Sequence, residues 1–359
     1  MHWTASRAAV GIAGALLATA SGAAPIAPSF IVSYVEVVSG PAVGDVVAVA
    51  GSLVVGVGPQ STAGAGKLVR VDAPGLASQQ ETVIAEGFTA VGGMDYHAGS
   101  GRLVVADNGL EFGGPTGDNV YALASVLGTP ADPPDASALA VLVDGAIPGA
   151  FDILFDPSDA SGDSVFVSDA SALFPPDGRL LRLSLSGASA AVLHSGLGFA
   201  AGLASNGTGL FVGDVDGLTF EGGVFTTPLA TPGDPLDPLV GGLPGIYDLE
   251  LSADGSLLAT SGGSILRIDP VTGATSVVAS GFGFASGLFE DASGLIYALD
   301  GFAAPGEANR IWVLTPVPEP AAAGLLGVGL LTLAARRRSS TRRRCSSTRL
   351  TRARRSRSG

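Results

Sequence analysis

The sequence predicts an all-β protein: a six-bladed β-propeller with an N-terminal signal peptide and a C-terminal hydrophobic anchor helix. Three observations predict it. A four-strand pattern recurs along the middle of the chain, no convincing amphipathic helix interrupts that pattern, and an apolar stretch flanked by arginine lies near each end. The expected parts are a signal peptide at 1–23, a propeller at 24–316, an anchor segment at 317–338 and a disordered basic tail at 339–359.

The N-terminal stretch has the three parts of a secretory signal. Arg7 supplies the positive charge, Ala8–Ala18 the apolar segment, and small residues near Ala20–Ala24 a cleavage site. A short buried helix is the alternative, and the charged and small flanks disfavour it. The sequence therefore predicts an exported protein. Its only cysteine, Cys345, lies in the tail, so the propeller has no disulfide.

The repeated module consists of four short apolar runs separated by turn residues. The fifth copy is the clearest, with strands predicted at Tyr247–Leu251, Leu257–Thr260, Ile265–Ile268 and Thr275–Ala279. The second strands of the six copies begin near Leu53, Leu103, Val165, Leu210, Leu257 and Leu295. This spacing is close to the roughly 40–50 residues of a four-stranded propeller blade. A β-sandwich would also have short strands and turns, but it would not explain a four-strand repeat.

The last copy lacks one strand before the chain enters the anchor segment. Phe30–Val38 is a strong strand pattern with no place in the first copy. We expect it to pair with Arg310–Leu314 as the outer strand of the last blade, because that pairing closes the ring and covers an open sheet edge.

The C-terminal segment resembles the PEP-CTERM protein-sorting signal. Pro318, Glu319 and Pro320 match the Pro-Glu-Pro box, Ala321–Ala335 the membrane segment, and Arg336, Arg337 and Arg338 the basic stop. The resemblance implies recognition by an exosortase-type enzyme, membrane anchoring through the C-terminal helix, and delivery to the cell surface or an extracellular polysaccharide matrix. The signal normally ends soon after the arginines, whereas 21 further residues follow in this chain.

Charge is divided unevenly along the chain. Residues 24–316 contain 31 acidic and 7 basic residues, a net charge of −24, while residues 336–359 contain 11 basic residues and no acidic one. Such an acidic domain repels nucleic acid, so we expect no nucleic-acid partner. The Ser-, Thr- and Arg-rich tail cannot form a core.

The repeat resembles six-bladed propellers of the NHL-repeat and SMP-30/gluconolactonase group. The resemblance is carried by Gly294–Asp300, by Asn309-Arg310-Ile311, and by Gly-Leu pairs such as Gly202-Leu203. Lactonase-type members place an Asn before the Gly of some first strands, whereas this chain has Ala201 and Ser286 in those slots.

Seven aspartates are candidate ligand-binding residues because they recur at two positions of the blade. Three lie early in first strands and four end second strands, so both sets are expected at one face around the channel. Carboxylate oxygens there suit Ca²⁺, the one cofactor they suggest, whereas Asx-turns to the backbone are the structural alternative. The seven are Asp95, Asp152 and Asp248, then Asp107, Asp169, Asp214 and Asp300.

Two functions follow from these features. The first is a non-enzymatic envelope or matrix protein that binds polysaccharide or another envelope protein through loops on one propeller face. The alternative is a Ca²⁺-dependent hydrolase of the lactonase type. No nucleophile motif is present, and the propeller's two histidines, His97 and His194, lie far apart in the sequence. We expect Asp152→Ala and Asp214→Ala mainly to lower stability, by about 1 kcal/mol each.

Overall fold

The computed structural model of the protein describes residues 24–317 except 59–63, 109–118, 143–146, 148, 171–176, 188, 218, 233–234 and 302–307. The predicted signal peptide, anchor helix and basic tail lie outside the described residues. Within the described part, no helix is long and apolar enough to cross a membrane. The chain divides into two compact units, Met1–Thr315 and Pro316–Gly359, and the first of these contains the propeller.

The described chain forms six antiparallel sheets of four strands each. It starts with β1 (Phe30–Glu36). Blade 1 contains β2 (Ala42–Val49), β3 (Ser52–Val57), β4 (Gly66–Asp72) and β5 (Gln80–Phe88). Blade 2 contains β6 (Val91–His97), β7 (Arg102–Asp107), β8 (Asn119–Leu123) and β9 (Ala140–Leu142). Blade 3 contains β10 (Ala150–Phe155), β11 (Ser164–Asp169), β12 (Gly178–Ser184) and β13 (Ser189–Leu197).

Blades 4 to 6 complete the ring. Blade 4 contains β14 (Phe199–Ser205), β15 (Gly209–Val215), β16 (Glu221–Pro228) and β17 (Asp237–Pro244). Blade 5 contains β18 (Ile246–Leu251), β19 (Leu257–Ser261), β20 (Ser264–Ile268) and β21 (Thr275–Ser280). Blade 6 contains β22 (Ala285–Glu290), β23 (Ile296–Asp300) and β24 (Arg310–Pro316), followed in space by β1. The helical residues of the described part form one 3₁₀ turn, Ala136–Ala138.

Local sequence explains where the strands stop. In blade 5 the turn Ser252–Gly255 separates β18 from β19: Gly255 has a φ of 84°, which favours glycine, and the Asp254 carboxylate accepts a hydrogen bond from the Ser256 amide. The second strands begin within one residue of the predicted positions in all six blades. The predicted six-bladed β-propeller is therefore confirmed.

The hydrophobic core lies between neighbouring blades. Buried residues from blades 1 and 2 form one cluster, in which the Phe88 and Tyr121 rings meet edge to face at 5.1 Å between centroids. Similar clusters join the other blade pairs, and one of them unites blades 6 and 1 through Val55, Val71 and Ile311. Apolar contact between blades, together with the channel hydrogen bonds described below, holds the ring together.

The predicted ring closure is confirmed. The sheet order of blade 6 is β22, β23, β24, β1, so the N-terminal strand is the outer strand of the last blade. The strand itself ends at Glu36 rather than Val38, because the amides of Val38 and Ser39 turn to the Glu81 carboxylate of blade 1. The Val37 amide still donates to the Asn309 carbonyl oxygen, at 2.8 Å.

Candidate functional site at the propeller channel

The first strand of every blade lines the central channel and contains a β-bulge at the same place. In blade 1 the pairing shifts between Val43 and Val46, and in blade 3 it shifts between Ala150 and Asp152. Bulges re-aim the side chains next to them. Alignment of the six bulges gives one equivalent residue per blade, and aspartate alternates with glycine around the ring: Asp45, Gly93, Asp152, Gly202, Asp248 and Gly287.

The three aspartates hold neighbouring blades together. Asp152 Oδ1 accepts a hydrogen bond from the next amide of its own strand, at 2.7 Å, and Oδ2 accepts one from the Leu203 amide of blade 4, at 2.6 Å. Asp45 bonds in the same way to the Met94 amide of blade 2, at 2.9 Å, and Asp248 bonds to the Leu288 amide of blade 6, at 2.6 Å. Each odd-numbered blade is thus tied to the even-numbered blade that follows it.

The three glycines leave room for these aspartates. A Cβ atom on Gly202 would lie 2.6 Å from Asp248 Cα, and one on Gly287 would lie 2.7 Å from Asp45 Cα. A Cβ on Gly93 would lie 1.8 Å from Asp152 Oδ1. Aspartate and glycine therefore alternate because each contact between an even-numbered blade and the next odd-numbered one has space for a single side chain.

Two further carboxyl groups lie in the same channel. Asp95 and Glu250 are at equivalent positions of blades 2 and 5, two residues after the ring members Gly93 and Asp248. Asp95 accepts hydrogen bonds from the amides of Tyr96 and Phe155, both at 2.7 Å. With Asp45, Asp152 and Asp248, these groups line a cavity of about 80 Å³, and no basic residue is among its described lining.

Burial and mutual repulsion raise the pKa of every carboxyl group in this cavity. Burial is the main cause, and it raises the pKa of Asp45 to about 7 and that of Asp95 to about 6. The pKa of Asp152 and that of Asp248 lie well above the usual range because of burial and the Asp45 charge. The pKa of Glu250 is also well above its usual range, through burial and repulsion from Asp95. The channel thus favours the neutral form of these groups more than solvent does.

The second set of predicted aspartates bonds to the loops that enter the first strands. Asp214 accepts hydrogen bonds from the amides of Gly198 and Phe199, and Asp300 accepts them from Gly283 and Phe284. Asp107 bonds to the amides of Thr89 and Ala90. Asp169 bonds to the Gly149 amide and to Arg179. The structure thus brings Asp95, Asp152 and Asp248 together in the channel and keeps Asp107, Asp169, Asp214 and Asp300 each within its own blade.

The channel carboxylates do not fit a calcium site. Ca²⁺ takes six to eight oxygen ligands at 2.3–2.6 Å. Asp45, Asp95 and Asp152 each direct both carboxylate oxygens at backbone amides, and no group of three or more acidic, histidine or cysteine side chains in the described part is placed to hold a metal. The cavity is also far smaller than the roughly 300–1,000 Å³ of a small-molecule pocket, so it admits only a few waters.

The channel entrance, where the first strands begin, is aromatic. The Phe151 and Phe199 rings meet edge to face at 4.9 Å between centroids, and the Tyr247 and Phe284 rings do so at 4.5 Å. These four rings, called the aromatic rim below, come from blades 3, 4, 5 and 6. Phe199 is buried, and the other three are half-buried.

Blades 1 and 2 have glycine where blades 3 and 5 have rim aromatics, at Gly44 and Gly92. The Asn108 amide lies beside Gly92, with Nδ2 3.1 Å from where a Cβ would be. Asn108 Oδ1 and Ser286 Oγ are buried and have no hydrogen-bond partner among the described residues. The entrance therefore combines an aromatic arc with polar atoms that lack partners in the described part.

The C-terminal segment and the propeller each have known counterparts. Residues 316–338 match the family described as the PEP-CTERM protein-sorting motif.

The C-terminal segment is a PEP-CTERM sorting motif.

The motif implies export, membrane-associated sorting and recognition by an exosortase-type sorting enzyme. A search of curated proteins found no match. Solved structures match the propeller. A carbohydrate-active enzyme of family AA12 from Trichoderma reesei is 14% identical, with a TM-score of 0.57, covering 82% of this chain and 98% of that one.

Two further solved structures have the same fold. A putative oxidoreductase (glucose dehydrogenase) from Thermus thermophilus is 18% identical, with a TM-score of 0.56, covering 79% of this chain and 99% of that one. A gluconolactonase from Xanthomonas campestris is 13% identical, with a TM-score of 0.53, covering 82% of this chain and 98% of that one. At such identities the likeness establishes the propeller fold, in agreement with the resemblance noted in the sequence.

Proposed function

We propose that this is an exported envelope or matrix protein, anchored through its C-terminal segment and sorted by an exosortase-type enzyme, whose propeller binds extracellular polysaccharide at the aromatic rim. The rim is the observation that carries the binding role. Half-buried rings of Phe151, Tyr247 and Phe284 offer apolar faces to a sugar ring.

The geometry of the carboxyl groups favours binding over catalysis. A hydrolytic acid or base must reach its substrate within hydrogen-bond distance. The channel carboxyl groups line a cavity of about 80 Å³, and Asp45, Asp95 and Asp152 bond to backbone amides through both oxygens. Their role in this proposal is to join the blades and position the rim.

We expect Tyr247→Ala and Phe284→Ala each to weaken polysaccharide binding about tenfold or more, because truncation of a central aromatic residue commonly costs at least about 1.4–2 kcal/mol. The probe is extracellular polysaccharide purified from the producing cells, measured by affinity electrophoresis. The control is Tyr297→Ala, which removes a half-buried ring that stacks on Phe289 within blade 6, away from the rim. Equal affinity of the wild type and both rim variants would contradict the proposal.

The sorting role predicts where the protein is found. Deletion of Pro318–Arg338 should release the propeller into the medium, since the segment that retains it is gone. Deletion of Ser339–Gly359 is the matched control, because it removes the same number of residues, 21, and keeps the motif. Immunoblots of medium and membrane fractions measure the difference. Membrane retention of the Pro318–Arg338 deletion would show that another segment anchors the protein.

A Ca²⁺-dependent hydrolase is the second candidate, favoured by the gluconolactonases among proteins of the same fold. Thermal melts with Ca²⁺ and with chelator distinguish the two functions, since a ligand at 100 times its Kd adds about 2.7 kcal/mol of stability. We expect no calcium-dependent shift. Asp214→Ala should lose about 1–2 kcal/mol with or without Ca²⁺, because two loop amides lose their acceptor. A shift in the wild type that Asp152→Ala and Asp214→Ala abolish would favour the hydrolase.

A further inference from the structure

Exposed large hydrophobic side chains are concentrated around the closing strand β1. Ten such residues are exposed in the described part of the chain, and three of them (Leu127, Val192 and Val271) are scattered elsewhere. Of the other seven, two lie on β1, two lie in the segments that flank it, one lies in a turn hydrogen-bonded to it, one lies on β21 and one follows β24. They are Ile26, Ile31, Tyr34, Val38, Leu76, Val277 and Val317. Scattered exposed hydrophobics need no explanation, whereas a cluster marks an interaction surface.

One contact places the turn that holds Leu76 against β1, and another fixes the segment just before β1 against blade 5. The Gln79 side chain, in the turn that holds Leu76, donates a hydrogen bond to the Glu36 carbonyl oxygen at 2.7 Å. Ile26 forms a β-bridge with Ser280, the last residue of the strand that holds Val277. These exposed residues line both sides of the outer edge of blade 6, with Tyr34 on the side toward blade 5 and Ile31 on the side toward blade 1. They are called the β1 patch below: Ile26, Ile31, Tyr34, Val38 and Leu76.

The patch also contains the side-chain types that favour a membrane interface. The Tyr34 and Trp312 rings meet edge to face at 5.9 Å, and the Arg310 guanidinium lies 4.4 Å above Tyr34 and 5.7 Å from Trp312. These three residues line a shallow groove of about 450 Å³. Trp312 is buried against the other two, so Tyr34 and Arg310 are the side chains that can reach lipid. Tyrosine and arginine suit the boundary between hydrocarbon and water, because each joins an apolar body to a polar end.

The length of the chain between the fold and the apolar segment brings this patch close to a bilayer. Strand β24 is hydrogen-bonded to β1 and ends at Pro316, and the apolar stretch begins at Ala321. The five residues Pro316–Pro320 span at most about 18 Å even when fully extended. A domain of this size has a radius of gyration of about 19 Å. The tether is therefore shorter than the domain, and blade 6 has to stay near the membrane while the segment is inserted.

We propose that the β1 patch rests on the bilayer surface in the uncleaved, anchored protein. The proposal rests on the proposed function, because it needs residues 317–338 in the membrane. The lipid surface it fits is zwitterionic, since the propeller has a net charge of −24 and Glu36 and Glu81 flank the patch. The tether keeps the local concentration of lipid high, so a small apolar patch is enough for the domain to contact the bilayer. Cleavage of the motif removes the tether and releases the patch from the membrane.

Site-specific fluorescence quenching in vesicles tests the proposal on the full chain. The background is Cys345→Ser, which removes the only native thiol. Single cysteines replace Ile31 and Val38 in the patch, and Val192 is the control, because it is exposed on the outer strand of blade 3, opposite blade 6 in the ring. Each variant carries a bimane label and is reconstituted in phosphatidylcholine vesicles with nitroxide-labelled lipid. Circular dichroism and thermal melts verify that each variant is folded.

We expect lipid nitroxides to quench the labels at Ile31 and Val38 at least threefold more than the label at Val192. If quenching is equal at the three sites and the protein still floats with the vesicles, the patch does not contact lipid, whereas the C-terminal anchor does. If the protein does not float with the vesicles, both the membrane anchor and the lipid contact of the patch are contradicted. Self-quenching that rises with protein density, without quenching by lipid, assigns the patch to a second copy of the chain and overturns the lipid assignment.

Discussion

Gly202→Ala is expected to destabilise the propeller by at least about 3 kcal/mol, a large part of the roughly 5–15 kcal/mol typical of a folded domain. The new Cβ would lie 2.5 Å from the Leu249 backbone nitrogen and 2.6 Å from the Asp248 carbonyl carbon. These are backbone atoms, so no side-chain rotation relieves the overlap, and blades 4 and 5 have to separate. Separation also strains the Asp152–Leu203 hydrogen bond that joins blades 3 and 4.

Gly241→Ala is the matched control, because this strand residue of blade 4 has no atom within 4 Å of the added Cβ. We expect it to change stability by less than about 0.5 kcal/mol. Urea denaturation of the wild type and both variants measures the difference. Similar midpoints for Gly202→Ala and Gly241→Ala would show that the spacing between blades is not fixed by the Asp–Gly ring.

The second large effect is on pH dependence: the propeller should be more stable at pH 5 than at pH 8. A carboxyl group whose folded pKa is raised favours the folded state when protonated. Its contribution is complete below the unfolded pKa near 4 and is lost as the pH rises through the folded pKa, about 6 for Asp95 and about 7 for Asp45. At about 1.36 kcal/mol per pKa unit, the raised pKa values of Asp45 and Asp95 alone correspond to a loss on the order of several kcal/mol.

Asp45→Asn should reduce this loss between pH 5 and pH 8, since the amide has no charge and keeps one acceptor for the backbone. Asp159→Asn is the control of opposite sign. Hydrogen bonds from the Ser161 hydroxyl and amide lower the pKa of Asp159, so its contribution is present above pH 4 and lost only below it. Urea melts at a series of pH values measure these slopes. A wild type equally stable at pH 5 and pH 8 would contradict the buried-charge interpretation.

The fold could be predicted from sequence because each blade repeats the same local chemistry. Turn residues such as Asp254 and Gly255 mark the hairpin ends, and β-branched runs mark the strands. The closing pair could also be predicted, since Phe30–Val38 was a strand without a partner and blade 6 was a sheet without its outer strand.

The candidate site was predictable only in part. Asp152 and Asp248 were identified, whereas Asp45 and Glu250 were not. Hairpin lengths conceal that Asp45 is in register with Asp152 and Asp248 rather than with Asp95. Blade 1 turns directly from Val49 to Ser52, while blade 2 uses a longer loop between His97 and Arg102. Asp45 and Asp95 each lie seven residues before the second strand of their blade, so the sequence alone makes them look equivalent. The bulges show instead that Asp45 is equivalent to Gly93.

The aromatic rim could not be seen in the sequence at all. Its ring pairs join residues of different blades, such as Phe151 with Phe199 and Tyr247 with Phe284. One aromatic residue per blade, at alternating positions of the first strand, has the same pattern as ordinary core residues. Only the three-dimensional arrangement shows that the rings form an arc along one side of the channel entrance.

The closing strand has a consequence for the order of events during export. β1 is made first and its partner β24 last, and the Glu36 and Asn309 side chains that hydrogen-bond across the closure are 273 positions apart in the sequence. Closing a loop of that length costs about 5 kcal/mol of chain entropy. When the chain is exported from its N-terminus, the blades therefore form an incomplete ring in which β1 has no partner until β24 has crossed the membrane. The ring is then completed at the same time as the C-terminal segment reaches the membrane. A chain truncated before Arg310 lacks β24, so its ring stays open and the chain is exposed to proteolysis.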